Sequence, residues 1–203
     1  NIYTLQHFDG GLDEAWFILV HVAIEARAGE LLEETTRLIQ HVNEEDAPAI
    51  EASLTAMSAA WDDINAIFDR MPERCDPYIY FHRVRPWIHG WKNNPALGAG
   101  LVYEGVEETG GAAQAFRGQT GSQSSIVPVM DALFSVGHAA DPLRTFLDEL
   151  HAYRPPSHRR FIEDIRAKSG LRQYLEGTRN TLLTKLYNDN VSQLARFRTR
   201  HLE

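Results

Sequence analysis

Between Ala47 and Arg70 the apolar residues Ile50, Leu54, Met57, Trp61, Ile64 and Phe68 recur at steps of four and three. No other feature of the chain constrains its fold as strongly. Side chains at that spacing share one face of an α-helix, so the stretch predicts a helix with a continuous stripe to bury. A second helix is expected to open at Asp13 or Glu14 and to carry Trp16, Leu19, Val20, Ala23 and Ile24. A third covers Tyr78 to about His89, with Pro86 kinking it or ending its regular part.

From Trp91 to Gly121 the periodicity breaks among Gly, Asn and Pro, and only LVYEGV reads as a short strand or ordered loop. Helical character returns from Ser124 to Val136 and from Pro142 to Tyr153. RPPSHRRF predicts a turn and a helix start with Ser157 as N-cap. A final helix is expected from Leu171 to the end, carrying Leu175, Leu182, Leu186, Leu194, Phe197 and His201. Strand signals are scarce, and there is no internal repeat. The expectation is an all-α chain forming one domain over residues 1–203.

The formal net charge of −8 argues against a nucleic-acid partner, because phosphate binding needs a basic face. The longest apolar run, Ala15 to Ile24, is interrupted by His21 and falls well short of the roughly 20 residues of a membrane span. No membrane partner is expected. Cys75 is the single cysteine, which excludes an internal disulfide framework and suits a reducing, cytoplasmic setting. Oligomeric state is not legible in the sequence.

Nine histidines invite a search for metal chemistry. There is no HExxH motif, no cysteine cluster and no close histidine pair on one helix face, so a zinc site is unsupported. Two histidines lie on apolar stripes. His201 follows Leu194 and Phe197 at steps of three and four, which would point its imidazole into the core, and His21 stands four residues after Phe17. The ordinary reading of each is a hydrogen-bonded packing residue. The alternative is a haem between them, with one histidine as iron ligand and the other as a polar group on the far side.

Phe81 and Arg85 repeat the four-residue spacing. An inward-facing guanidinium needs an anion. That anion is either one of the 28 acidic residues or the carboxylate of a small ligand, which the guanidinium fork fits. GQTGSQSS, from Gly118 to Ser125, is a run of small or polar residues leading into an apolar helix. A surface linker and a loop that passes close to a ligand both account for it.

Three longer segments decide between these readings. IHGWKNNPALGAGLVYEGV (88–106), GQTGSQSSIVPVMD (118–131) and YRPPSHRRF (153–161) strongly resemble, in order, segments of the indoleamine 2,3-dioxygenase family. The resemblance implies a helical bundle enclosing haem b, which inserts both atoms of O2 into the indole of L-tryptophan to give N-formylkynurenine. It implies L-tryptophan or a related indole, O2 and an electron donor for the haem as partners.

Carried over by residue, the proximal iron ligand falls on His201, with Arg198 three residues before it and Asp131 as the acid expected to pair with Arg198. The second nitrogen of His201 is expected to be tied by an acceptor. Phe17 matches the aromatic that packs on the indole, Tyr80 and Phe81 the aromatic pair that faces it, and Arg85 the arginine that holds the carboxylate. Thr120 matches a hydroxyl residue beside haem and substrate, and Gly118, Gly121 and Ser122 let the same loop approach the porphyrin edge.

Two positions depart from the family pattern. His21 stands where the mammalian enzymes carry serine and matches the related tryptophan 2,3-dioxygenases; it is the candidate catalytic group on the distal side, able to accept the indole N–H or steer O2. Tyr80 stands where phenylalanine is usual. The resemblance also implies a small N-terminal domain and closing C-terminal helices outside these residues. Three rival readings remain: a haem enzyme acting on another indole derivative, a haem protein of this fold that binds O2 without catalysis, and a helical interaction module without cofactor.

Overall fold

The computed structural model describes residues 2–140 and 142–202. The helix around which the others pack is α2, Ala47–Phe68, which buries Ile50, Leu54, Met57, Trp61 and Ile64 completely. Burying one such side chain contributes about 1.5–3 kcal/mol. Asp46 caps α2 by accepting from the Ala49 N–H at 3.1 Å. Helix α1, Leu12–Asn43, packs along α2 through Val20, Ile24, Ala28, Leu31, Leu38 and Val42. Glu14, in its first turn, is buried and accepts from the backbone N–H groups of Phe8, Asp9 and Gly10. Burial would raise its pKa, but those three bonds hold the carboxyl below its ordinary range.

The third expected helix is present but irregular. It runs as α3, Pro77–Ile79, a π-helical segment, Tyr80–Val84, and α4, Arg85–Ile88. The Arg85 N–H reaches the Tyr80 carbonyl, five residues back. The cause lies in Pro86, which has no N–H and whose ring would strike the carbonyl of His82 in a regular α-helix; widening the turn avoids the clash.

Residues 89–125 form an ordered excursion. Antiparallel bridges join Gly90 to Arg117 and Leu101 to Gln114, and the Trp91 indole N–H donates to the Gln114 carbonyl at 2.8 Å. LVYEGV is thus ordered loop, and there is no β-strand among the described residues. The chain is all-α.

Helices α5, Ile126–Leu133, and α6, Pro142–His151, follow. Helix α7, Pro156–Lys168, starts one residue earlier than a Ser157 cap requires: Pro155 takes the cap position and no side chain caps it. Proline at the first helical position brings no unpaired N–H of its own, so Ser157 is drawn into the helix. The expected single C-terminal helix is two, α8, Leu171–Thr178, and α9, Thr181–Leu202. Arg179 turns left-handed at φ 53°, and Asn180 accepts from the N–H groups of Leu182 and Leu183, restarting the helix. Glu203, the end of the expected helix, lies outside the described residues.

Helix α9 packs on α2, and α5 on α7, around one continuous core that includes Val129, Met130, Leu133, Ile162, Leu183 and Leu194. Among the described residues no helix is long and apolar enough to cross a membrane.

Candidate functional site

Helix α1 carries Phe17 and His21 on one face, with ring centroids 4.5 Å apart. The α1 backbone also fixes the tautomer of His21. Its Nδ1 lies 2.8 Å from the Phe17 carbonyl oxygen; a carbonyl only accepts, so Nδ1 carries the proton and the neutral ring presents Nε2 as a bare acceptor. The Tyr80 ring, on the π-helical segment, stands 4.6 Å from Phe17. These two rings touch, so they form one aromatic wall and no indole can lie between them. That corrects the expectation of opposed jaws.

One turn on, Arg85 is half-buried and makes no hydrogen bond or ion pair among the described residues. Among the described residues no acid satisfies this guanidinium, as the ordinary reading would require. Arg85 lines an open groove of about 500 Å³ with Phe81, His82, Pro86 and His89. Phe81, 65% exposed, stands on the groove rim and does not stack on Phe17 or Tyr80.

His201 comes from the last turn of α9. Its helix stripe is buried at Leu194 and packs on Trp61 and Phe68 at Phe197, then runs past the edge of the core. The imidazole therefore stands open on one side, stacked on Phe68 at 6.2 Å, and does not point into the core as expected. Enough protein still surrounds it to matter. Burial holds its pKa below the ordinary 6.5, and the positive charge of Arg85, with that of His21 whenever His21 is protonated, pushes the same way. His21 and Arg85, from two other elements, thus lie near enough to His201 to act on it electrostatically. No acceptor ties the second His201 nitrogen among the described residues.

The loop 118–125 passes beside His201. A Cβ on Gly121 would stand 3.3 Å from Cε1 and 4.0 Å from Nε2 of His201. Gly118 has a different reason to be glycine: a Cβ there would lie 1.9 Å from the Ile88 carbonyl oxygen, because the loop is zipped to residues 88–90, with the Gly118 N–H donating to the His89 carbonyl at 3.1 Å. Gly118 meets the chain's own backbone. The Thr120 hydroxyl accepts from the Ser122 N–H at 3.3 Å and caps the short turn Gly121–Gln123. Beneath the loop, Arg198 donates to Asp131 at 2.6 Å, and His138 Nε2 reaches the same carboxylate at 2.8 Å.

One residue of this neighbourhood is missing from the sequence reading. Arg154, 5% exposed, donates to the Ser122 carbonyl at 2.6 Å and to the Ser124 carbonyl at 3.0 Å. The only trace in the sequence is its place in YRPPSHRRF. Among the described residues no group of three or more His, Cys, Asp and Glu is arranged to hold a bare metal ion.

Comparison with known proteins places the chain in a family. A family model described as indoleamine 2,3-dioxygenase matches residues 1–203. Indoleamine 2,3-dioxygenase 1 of Rattus norvegicus is 33% identical over 204 residues, covering 100% of this chain and 49% of the relative. Indoleamine 2,3-dioxygenase nanC of Aspergillus nanangensis is 32% identical over 207 residues, covering 100% and 50%. A myoglobin of Haliotis madaka is 27% identical over 206 residues, covering 100% and 53%. The chain spans about half the length of the curated relatives it matches.

Proposed function

The chain belongs to the indoleamine 2,3-dioxygenase family, and from that premise we propose that it forms the haem-bearing part of a cytoplasmic dioxygenase that opens the indole C2–C3 bond of L-tryptophan with O2, giving N-formylkynurenine. The observation that carries the reading is the nearness to His201 of His21 and of Arg85, which has no acid partner among the described residues.

The residues fit a haem. His201 offers an unprotonated imidazole with no hydrogen-bonded partner among the described residues, and the absence of a Cβ at Gly121 leaves room beside its Cε1 and Nε2. His201 is the iron ligand in this reading, with the turn at Gly121 and Ser122 at the porphyrin edge and the Asp131–Arg198 pair steadying α9. Haem b, kept ferrous by an external electron donor, supplies the oxygen activation.

The chain's own residues supply position and exclusion of water. Arg85 takes the substrate carboxylate in a bidentate contact. The Phe17–Tyr80 wall packs one face of the indole. His21 Nε2 accepts the indole N–H, the role its tautomer prescribes. The Thr120 hydroxyl, already bonded to Ser122, keeps a lone pair for the substrate ammonium. Holding the indole in one pose converts an encounter into a positioned reaction.

The similarity to a myoglobin supports a second reading, a haem protein of this fold without catalysis. Turnover separates the two. With haem and a reductant, the protein carrying this chain is expected to consume one O2 per N-formylkynurenine formed from L-tryptophan. Reversible O2 binding with no product would favour the second reading, and turnover only of another indole would move the substrate.

A further inference from the structure

The YRPPSHRRF motif takes no part in the mechanism above, yet its first two residues hold both ends of the loop that does. The Tyr153 hydroxyl accepts from the Arg117 N–H at 3.0 Å, one residue before the loop begins. Arg154 spans the other end, with Nη2 on the Ser122 carbonyl at 2.6 Å and Nε on the Ser124 carbonyl at 3.0 Å. Its Nη1 rests on His151 Nδ1 at 3.1 Å. No carboxylate pairs with this guanidinium among the described residues.

A charge buried without a counter-ion is costly, and burial pulls the Arg154 pKa down accordingly. Packing alone does not call for a cation here; an apolar side chain would fill the same volume. What an apolar side chain cannot do is satisfy two carbonyls of one turn at once, which the fork of arginine does. The turn needs such a hold, because its residues are small and polar and bury little apolar surface to fix them. Pro155 and Pro156 stiffen the chain directly after the clamp.

We propose that Tyr153 and Arg154 form a clamp that sets the position of residues 117–124, and that Arg154 is a positioning residue for the substrate site through Thr120 and Gly121. The assignment of that site rests on the dioxygenase reading; the clamp itself does not.

The test compares Arg154→Met and Arg154→Lys with the unaltered protein by two measurements. The first is amide hydrogen exchange of Gln123 and Ser124, whose N–H groups close the turn on Thr120 and Gly121, with the Ile64 amide of the core as control. Arg154→Met is expected to speed exchange at Gln123 and Ser124 about tenfold or more with Ile64 unchanged. Arg154→Lys, which can reach one carbonyl, is expected to restore part of the protection. The second is the split of L-tryptophan kinetics, where Arg154→Met is expected to raise KM about tenfold with a smaller change in kcat.

Unchanged exchange at Gln123 and Ser124, or acceleration shared equally by Ile64, would overturn the clamp. Local acceleration with an unchanged KM would overturn the positioning role. The exchange arm needs neither haem nor tryptophan. An unaltered protein that fails to turn over tryptophan would therefore count against the dioxygenase reading, while the clamp would be decided by exchange alone.

Discussion

His21 donates its Nδ1–H to the carbonyl oxygen of Phe17, 2.8 Å away. This bond leaves Nε2 with a lone pair and no proton, so neutral His21 can accept from a substrate and cannot donate through that atom. Methylating the indole nitrogen removes the donor Nε2 would meet. N-methyl tryptophan is expected to show a KM about fivefold above that of tryptophan with His21 present. The gap should shrink in His21→Ser. Equal gaps in the two proteins would exclude the acceptor role.

Arg85 makes no ion pair among the described residues, so its removal strands no buried acid. Arg85→Leu is expected to leave haem binding and thermal stability near those of the unaltered protein while raising KM for L-tryptophan about tenfold to a hundredfold. Indole analogues without a carboxylate should be indifferent to the change. A KM that stays put would remove Arg85 from the substrate site.

Two glycines of one loop should respond differently to the same methyl group. Gly118→Ala drives a Cβ to 1.9 Å from the Ile88 carbonyl oxygen and is expected to cost about 2–4 kcal/mol in urea unfolding. Gly121→Ala meets only the edge of His201 at 3.3 Å, which the ring can accommodate by a small shift. Its stability should stay within about 1 kcal/mol, and its haem affinity should fall. The reverse order would place the porphyrin edge at Gly118.

Much of this architecture is readable before folding is considered. The α2 stripe from Ile50 to Ile64 is legible because a helix repeats its core face every three or four residues. That pattern does not say where the core stops, so it carries His201 inward when the chain has already passed the core edge at Phe197. Pro86 signals disruption, but whether the helix breaks, kinks or widens depends on what surrounds it. The gap between α8 and α9 was marked by Gly177 and Asn180, a weak helix former and a good cap. Arg154 left no mark beyond its place in YRPPSHRRF, because its partners are backbone carbonyls at Ser122 and Ser124, separated by 32 and 30 residues.

Glu149 receives Arg117 at 2.9 Å and also accepts from Lys92, tying the 89–125 excursion to α6. The hydrogen bond from Arg117, then that from Lys92, brings its pKa from the ordinary 4.5 to about 2. A carboxyl depressed on folding stabilises the folded state above its unfolded pKa and loses that contribution as pH falls through the folded value. The Glu149 contribution is therefore full above 4.5 and fades between 4.5 and about 2. Stability measured by urea unfolding should fall less steeply over that interval in Glu149→Gln than in the unaltered protein. Parallel acid limbs would show that the cluster contributes nothing.

The most direct measurement is a haem titration of this chain and of His201→Ala, followed by Soret absorption between pH 5 and 8. Saturable binding that is lost or greatly weakened in His201→Ala is expected. Because burial, with His21 and Arg85, holds the His201 pKa below 6.5, the ligating neutral imidazole should still predominate at pH 6.5, and haem affinity should decline only at lower pH. Binding of equal strength in His201→Ala would mean that His201 is not the iron ligand.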